Sequence, residues 1–96
     1  MMVLIAYDVN TTSAEGQKRL RSVAKVCENY GQRVQNSVFE CLIDPAQLVN
    51  IQHRLLSIID KEYDSIRLYY LGKNWKKRVE HFGISPLYTH EEPIIL

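Results

Sequence analysis

No apolar run in the 96-residue chain approaches the roughly 20 residues needed to span a bilayer. The N-terminus also lacks the basic stretch and small-residue cleavage site of a secretory signal, so a cytoplasmic protein with no membrane contact is expected. Cysteine is scarce. Cys27 and Cys41 fall in an apparent helix and an apparent strand without CxxC spacing, which argues against a zinc ribbon and for buried, reduced thiols. His53, His81 and His90 show no metal-ligand spacing, and the chain contains no P-loop, GxGxxG or GxSxG. Repeats, low-complexity tracts and linkers are absent, leaving one domain over residues 1–96.

Excess charge of either sign is missing too: the net charge is +1, so the pI gives no hint of nucleic acid. The distribution is uneven, however. Between Ala14 and Arg33 stand Lys18, Arg19, Arg21, Lys25 and Arg33 against Glu15 and Glu28, and Lys73, Lys76, Lys77 and Arg78 cluster later. A solvated helix face explains such charges as readily as a binding surface does.

The opening VLIAYDVN (Val3–Asn10) is short, apolar and bounded by polar residues, the pattern of a central strand covered on both faces. NTTSAEGQ then turns the chain into a helix, with Thr12 and Glu15 at capping-box spacing. Leu20, Val23, Ala24 and Cys27 form an i, i+3, i+4, i+7 stripe that ends at a C-cap glycine, Gly31. In RVQNSVFECLI (Arg33–Ile43) the alternation slips at Asn36-Ser37, which fits either one bulged strand or two short strands joined by a tight turn.

A second helix starts at Asp44-Pro45-Ala46-Gln47, with an N-cap acid, proline at N1 and glutamine at N3. Its buried stripe is Leu48, Ile51, Leu55, Ile58 and Ile59. DSIRLYYLG (Asp64–Gly72) reads as a strand with Ile66, Leu68 and Tyr70 on one face and Arg67, Tyr69 and Leu71 on the other. RVEHFG is expected to form a further strand, and EEPIIL closes the chain with an apolar segment.

This order predicts an α+β fold, a ferredoxin-like βαββαβ sandwich with an extra C-terminal strand and both helices on one sheet face. The other face would carry Phe39, Tyr69, Leu71, Ile94, Ile95 and Leu96, too apolar for water. A homodimer with its sheets face to face solves that problem.

Asp8, at the end of the first strand, has two readings. It is a turn former accepting from the following amides, or a carboxylate held at the rim of a site. One carboxylate with phosphate oxygens and water suffices for Mg²⁺. Arg33 opens a strand rather than decorating a helix, and with Arg19 and Arg21 it supplies the cations that phosphate contacts require. Phe39 is either a packed core residue or a stacking surface.

The opening VLIAYDV, the block KRLRSVAKVCENYGQRVQNSVFEC and the later DSIRLYYLG resemble the small CRISPR-associated endonuclease family, partner of the CRISPR integrase in spacer acquisition. The resemblance covers essentially the whole chain and is nearest to the type I-C branch; its most specific part is Tyr7-Asp8 combined with RVQNSVFEC. It implies a ferredoxin-like homodimer and a metal-dependent endonuclease that hydrolyses phosphodiester bonds for antiviral defence. Double-stranded DNA is the favoured substrate and single-stranded RNA the other. The family's metal-binding catalytic aspartate falls on Asp8, implying Mg²⁺ or Mn²⁺ there. Its nucleic-acid contacts fall on Tyr7, Arg19, Arg21, Arg33, Ser37 and Phe39, with Lys18 beside them on the first helix. The same resemblance allows a non-catalytic scaffold that holds DNA for the integrase subunit.

Overall fold

The alternation of Val3, Ile5 and Tyr7 with Leu4, Ala6 and Asp8 builds β1 (Met2–Asp8), whose first set is buried against the helices. In the computed structural model, which describes residues 1–84, β1 is followed by α1 (Ala14–Tyr30), β2 (Gln32–Gln35), β3 (Val38–Leu42), α2 (Pro45–Ile58) and β4 (Ser65–Gly72). A 3-10 turn at Trp75–Lys77 comes last. The sheet is antiparallel with order β2-β3-β1-β4, which is the ferredoxin-like arrangement.

Both helices pack on one face. Val23, Val26 and Cys27 of α1 and Ile51 and Leu55 of α2 share a core with Val3, Ile5, Tyr7, Phe39 and Cys41. Burying each of the larger members stabilises the fold by about 1.5–3 kcal/mol. The two thiols are free and buried, and burial pushes Cys27 up to about 12 and Cys41 up to about 11, so both stay protonated and inert.

The helix ends follow local chemistry. Asp44 accepts from the Gln47 amide at 2.8 Å while the Gln47 side chain accepts from the Asp44 amide at 3.0 Å, completing the expected capping box. At α1 the expected Thr12 cap is displaced by one residue. Ser13 is the N-cap, its hydroxyl accepting from the Gly16 amide at 3.0 Å, because Thr12 is engaged by Asn10 instead. Gly31 does close α1, but in extended backbone. Its lack of a side chain serves close packing, since a Cβ would strike the Glu40 carbonyl and Cys41 of β3.

The slip at Asn36-Ser37 is a hairpin turn between β2 and β3, with a register irregularity between Arg33 and Gln35. The face of Phe39 follows from its pairing with β1, where it stands opposite the buried Ile5 as Cys41 stands opposite Val3. The expectation that Phe39 lies on the open face is wrong: it is 0% exposed in the core beneath the helices. The open face carries Leu4, Ala6 and Val38, partly covered, with Leu42 at 60% and Tyr69 at 42% exposure.

RVEHFG is not a strand. Gly72 leaves β4 with φ of +76°, a left-handed conformation that ends the strand, and Lys73 to Arg78 wind into the 3-10 turn instead. The apolar tail Ile94-Ile95-Leu96 and His90 lie outside the described residues. Among the described residues no helix is long and apolar enough to cross a membrane.

Candidate active site

Asp8 closes β1 opposite Ser65 of β4, and its exposed side chain points to the open face with Leu4 and Ala6. The turn that follows does not use it. Asn10 performs that task, its Oδ1 accepting from the Thr12 amide at 3.0 Å and from the Thr12 hydroxyl at 2.7 Å. The Asn10 amide in turn donates to Asp64 Oδ1 at 3.0 Å. Among the described residues Asp8 has no hydrogen-bonding or ionic partner for its carboxylate.

Asp64 is the residue that sequence reasoning missed. Its side chain is 0% exposed and accepts from four donors: Asn10 N, Arg19 Nη2 at 3.3 Å, Arg19 Nε at 2.7 Å and Asp60 N at 2.9 Å. The Arg19 guanidinium foremost, with the two amides, holds its carboxyl down at about 2 against the cost of burial. The only hint in the sequence is a carboxylate just ahead of a strand, which resembles an ordinary turn residue.

Arg19, expected among the nucleic-acid contacts, is engaged within the fold by this pairing. Its guanidinium, only 20% exposed, clamps α1 to the loop before β4 through Nε and Nη2. Arg21, two positions on and so on the other side of α1 from Arg19, is exposed and without a partner among the described residues, as is Lys18 on the outer side of α1.

On the helix side of β1 a cleft of about 320 Å³ brings together Tyr7, Arg21, Arg33, Asn36 and Ser37. Four of the predicted site residues therefore converge across 30 positions of chain. The Ser37 carbonyl accepts from the Tyr7 amide at 3.0 Å, tying the hairpin turn to the end of β1. Arg33 lies over the Phe39 ring at 4.9 Å, donates to the Asn36 carbonyl at 2.5 Å and meets Glu28 at 3.3 Å. Tyr7 stacks on Phe39 with centroids 6.2 Å apart, and burial raises its phenol while Arg33 draws it partly back.

Phe39 thus supports the cleft from below. Fully buried, it cannot stack on a base, and its contribution is to position Tyr7 and Arg33. Alternation along β1 places Asp8 on the opposite side of the sheet from this cleft.

The family model described as CRISPR associated protein Cas2 matches residues 1–79. The chain belongs to the Cas2 family. It is 58% identical over 96 residues to the CRISPR-associated endoribonuclease Cas2 of Nitratidesulfovibrio vulgaris, covering 100% of this chain and 94% of that protein. It is also 58% identical over 95 residues to the CRISPR-associated endonuclease Cas2 of Halalkalibacterium halodurans, covering 99% of each. The crystal structure of Streptococcus pyogenes Cas2 at pH 6.5 superposes with a TM-score of 0.76 at 65% identity, covering 86% of this chain and 100% of that one. The ferredoxin-like order derived above is accordingly that of a Cas2 protein.

A metal ion at Asp8 is chemically reasonable. No group of three or more His, Cys, Asp and Glu side chains is assembled among the described residues, which disfavours a closed cage. A free carboxylate suits Mg²⁺ or Mn²⁺, hard cations that retain water and take remaining ligands from substrate phosphate.

Proposed function

We propose that this Cas2-family chain is a CRISPR-associated, metal-dependent endonuclease that acts as a homodimer on phosphodiester bonds of double-stranded DNA. The observation that carries the reading is the Asp8 carboxylate, exposed at a strand end and relieved of turn duty by Asn10 and Asp64. Asp8 would hold Mg²⁺ or Mn²⁺, which when bound supplies positive charge at the scissile phosphate and acidifies water. Arg21 and Arg33 offer guanidinium groups to the backbone phosphates. The Arg33–Glu28 pair is solvent-exposed at both ends and worth little, so phosphate displaces it at low cost.

Dimerisation through the open face brings a second Asp8 toward the first, and the exposed Leu42 and Tyr69 beside Leu4, Ala6 and Val38 are the apolar surface that favours it. Association with the integrase subunit in spacer acquisition and the type I-C likeness belong to the same proposal. The relatives' names divide between endoribonuclease and endonuclease, so single-stranded RNA is the competing substrate.

A second reading, a non-catalytic DNA scaffold for the integrase, is favoured by there being one carboxylate rather than a ligand cluster among the described residues. The test is cleavage of matched duplex DNA and single-stranded RNA with Mg²⁺, Mn²⁺ or EDTA, by wild type and Asp8→Ala of verified dimeric state. The nuclease reading expects metal-dependent cutting that falls by on the order of 10³-fold in Asp8→Ala, equivalent to about 4 kcal/mol of barrier. Cutting unchanged in Asp8→Ala, or absent from wild type while duplex binding persists, leaves the scaffold.

A further inference from the structure

A second basic station stands at the other end of β1. Gly72 of β4 pairs with Met2, whereas Asp8 and the Tyr7 side of the cleft lie at the far terminus of the strand. Six residue steps at about 3.3 Å separate the two ends by roughly 20 Å. There the chain places Lys73, Lys76, Lys77 and Arg78 within six positions and no acid among them.

The turn that carries them is ordered. The Lys77 amide donates to Asn74 O at 3.1 Å and the Arg78 amide to Trp75 O at 2.9 Å, while Arg78 Nη1 reaches back to Leu71 O at 3.1 Å. Trp75 is half-buried and Lys76 Nζ sits 5.7 Å from its ring centroid. Lys73, Lys76 and Lys77 are exposed and have no ion-pair partner among the described residues. Apart from the Lys76 contact with Trp75 and the Arg78 bond to Leu71 O, these cations have no partner in the described fold, and their mutual repulsion is a cost to it.

We propose that the Lys73–Arg78 turn is a second phosphate-binding station, contacting the backbone of double-stranded nucleic acid independently of the Arg21/Arg33 cleft. A duplex backbone is the fitting ligand because the turn presents point charges. Its tryptophan is half-buried and already faced by a lysine, so base stacking there is disfavoured. With phosphates about 3.4 Å apart along a strand, the two stations are separated by about six base pairs of duplex. The inference rests on the nucleic-acid reading above.

The test is fluorescence-anisotropy titration of a 24-base-pair DNA duplex across a salt series, using wild type, Lys76→Gln/Lys77→Gln, Arg21→Gln and the triple variant, each checked for an unchanged thermal midpoint. Two lost phosphate contacts lower the slope of log K against log salt by about 1.8 and weaken binding on the order of 50-fold at 0.1 M salt. Separate stations require the triple variant to show the sum of the two effects in log K. A double-lysine variant with wild-type slope and affinity, beside an Arg21→Gln that is weakened, overturns the second station and leaves the functional reading standing. A wild type that does not bind the duplex at all overturns both.

Discussion

Two aspartates near the same end of the sheet have opposite fates. Asp64 is sealed from solvent and accepts four hydrogen bonds, whereas Asp8, beside its register neighbour Ser65, is exposed and has no partner among the described residues. The arginines of α1 divide the same way: Arg19 is held by Asp64, and Arg21, two positions on, opens to the cleft. Structural charge here is charge that is satisfied internally. Charge left unsatisfied at the rim of the fold is what remains for a ligand.

The largest way to break this contrast is to remove the satisfied carboxylate. Asp64→Ala leaves the largely buried Arg19 unpaired and strands the Asn10 and Asp60 amides, and it is expected to destabilise the protein by about 3 kcal/mol in urea unfolding. Arg21→Gln is expected to stay within about 0.5 kcal/mol of wild type. A similar cost for both would show that the exposed arginine also carries fold stability, and the division of roles would fail.

The part of this division visible in the sequence was set by short-range rules. Apolar periodicity located β1, α1, α2 and β4, and the Asp44-Pro45-Gln47 pattern located a helix start, because those signals act within one or two turns of chain. Thr12 and Ser13 are adjacent cap formers, and only the Asn10 side chain decides between them. The face of Phe39 was hidden because Val38, Phe39, Cys41 and Leu42 are apolar on both sides of β3, so alternation alone does not choose between them; the pairing of Phe39 with Ile5 does. Asp64 was illegible for a different reason: its partner Arg19 lies 45 residues away, and no local pattern reports such a distance. In the candidate site, Asp8, Arg21 and Arg33 were singled out by resemblance, and their distribution over two sides of the sheet came only from the fold.

A smaller effect, with a definite sign, comes from acid. Asp64 has its folded-state value held at about 2, below the ordinary 3.8, so its contribution is fully present above about pH 4 and is lost as pH falls toward 2. Glu40 acts in the opposite direction. Burial raises its folded value, with His81 partly offsetting the rise, so acidification relieves the cost of a buried charge. Urea midpoints measured from pH 5 to pH 2 should therefore fall less steeply in Asp64→Asn than in wild type, and more steeply in Glu40→Gln. Parallel profiles for wild type and Asp64→Asn would mean that the Arg19 pair does not govern acid stability.

The smallest effect bears most directly on whether Asp8 is free for function. If the turn after β1 belongs to Asn10, then Asn10→Ala removes the acceptor for both the amide and the hydroxyl of Thr12 and should cost about 1 kcal/mol. Asp8→Ala removes a carboxylate that nothing in the described fold uses and should cost less than about 0.5 kcal/mol. Thermal or urea unfolding of the two variants side by side in metal-free buffer makes the comparison without reference to any activity. An Asp8→Ala cost equal to or above that of Asn10→Ala would return Asp8 to the turn and remove the observation on which the metal site stands. The expected order leaves its carboxylate as a group kept at the strand end for something other than folding.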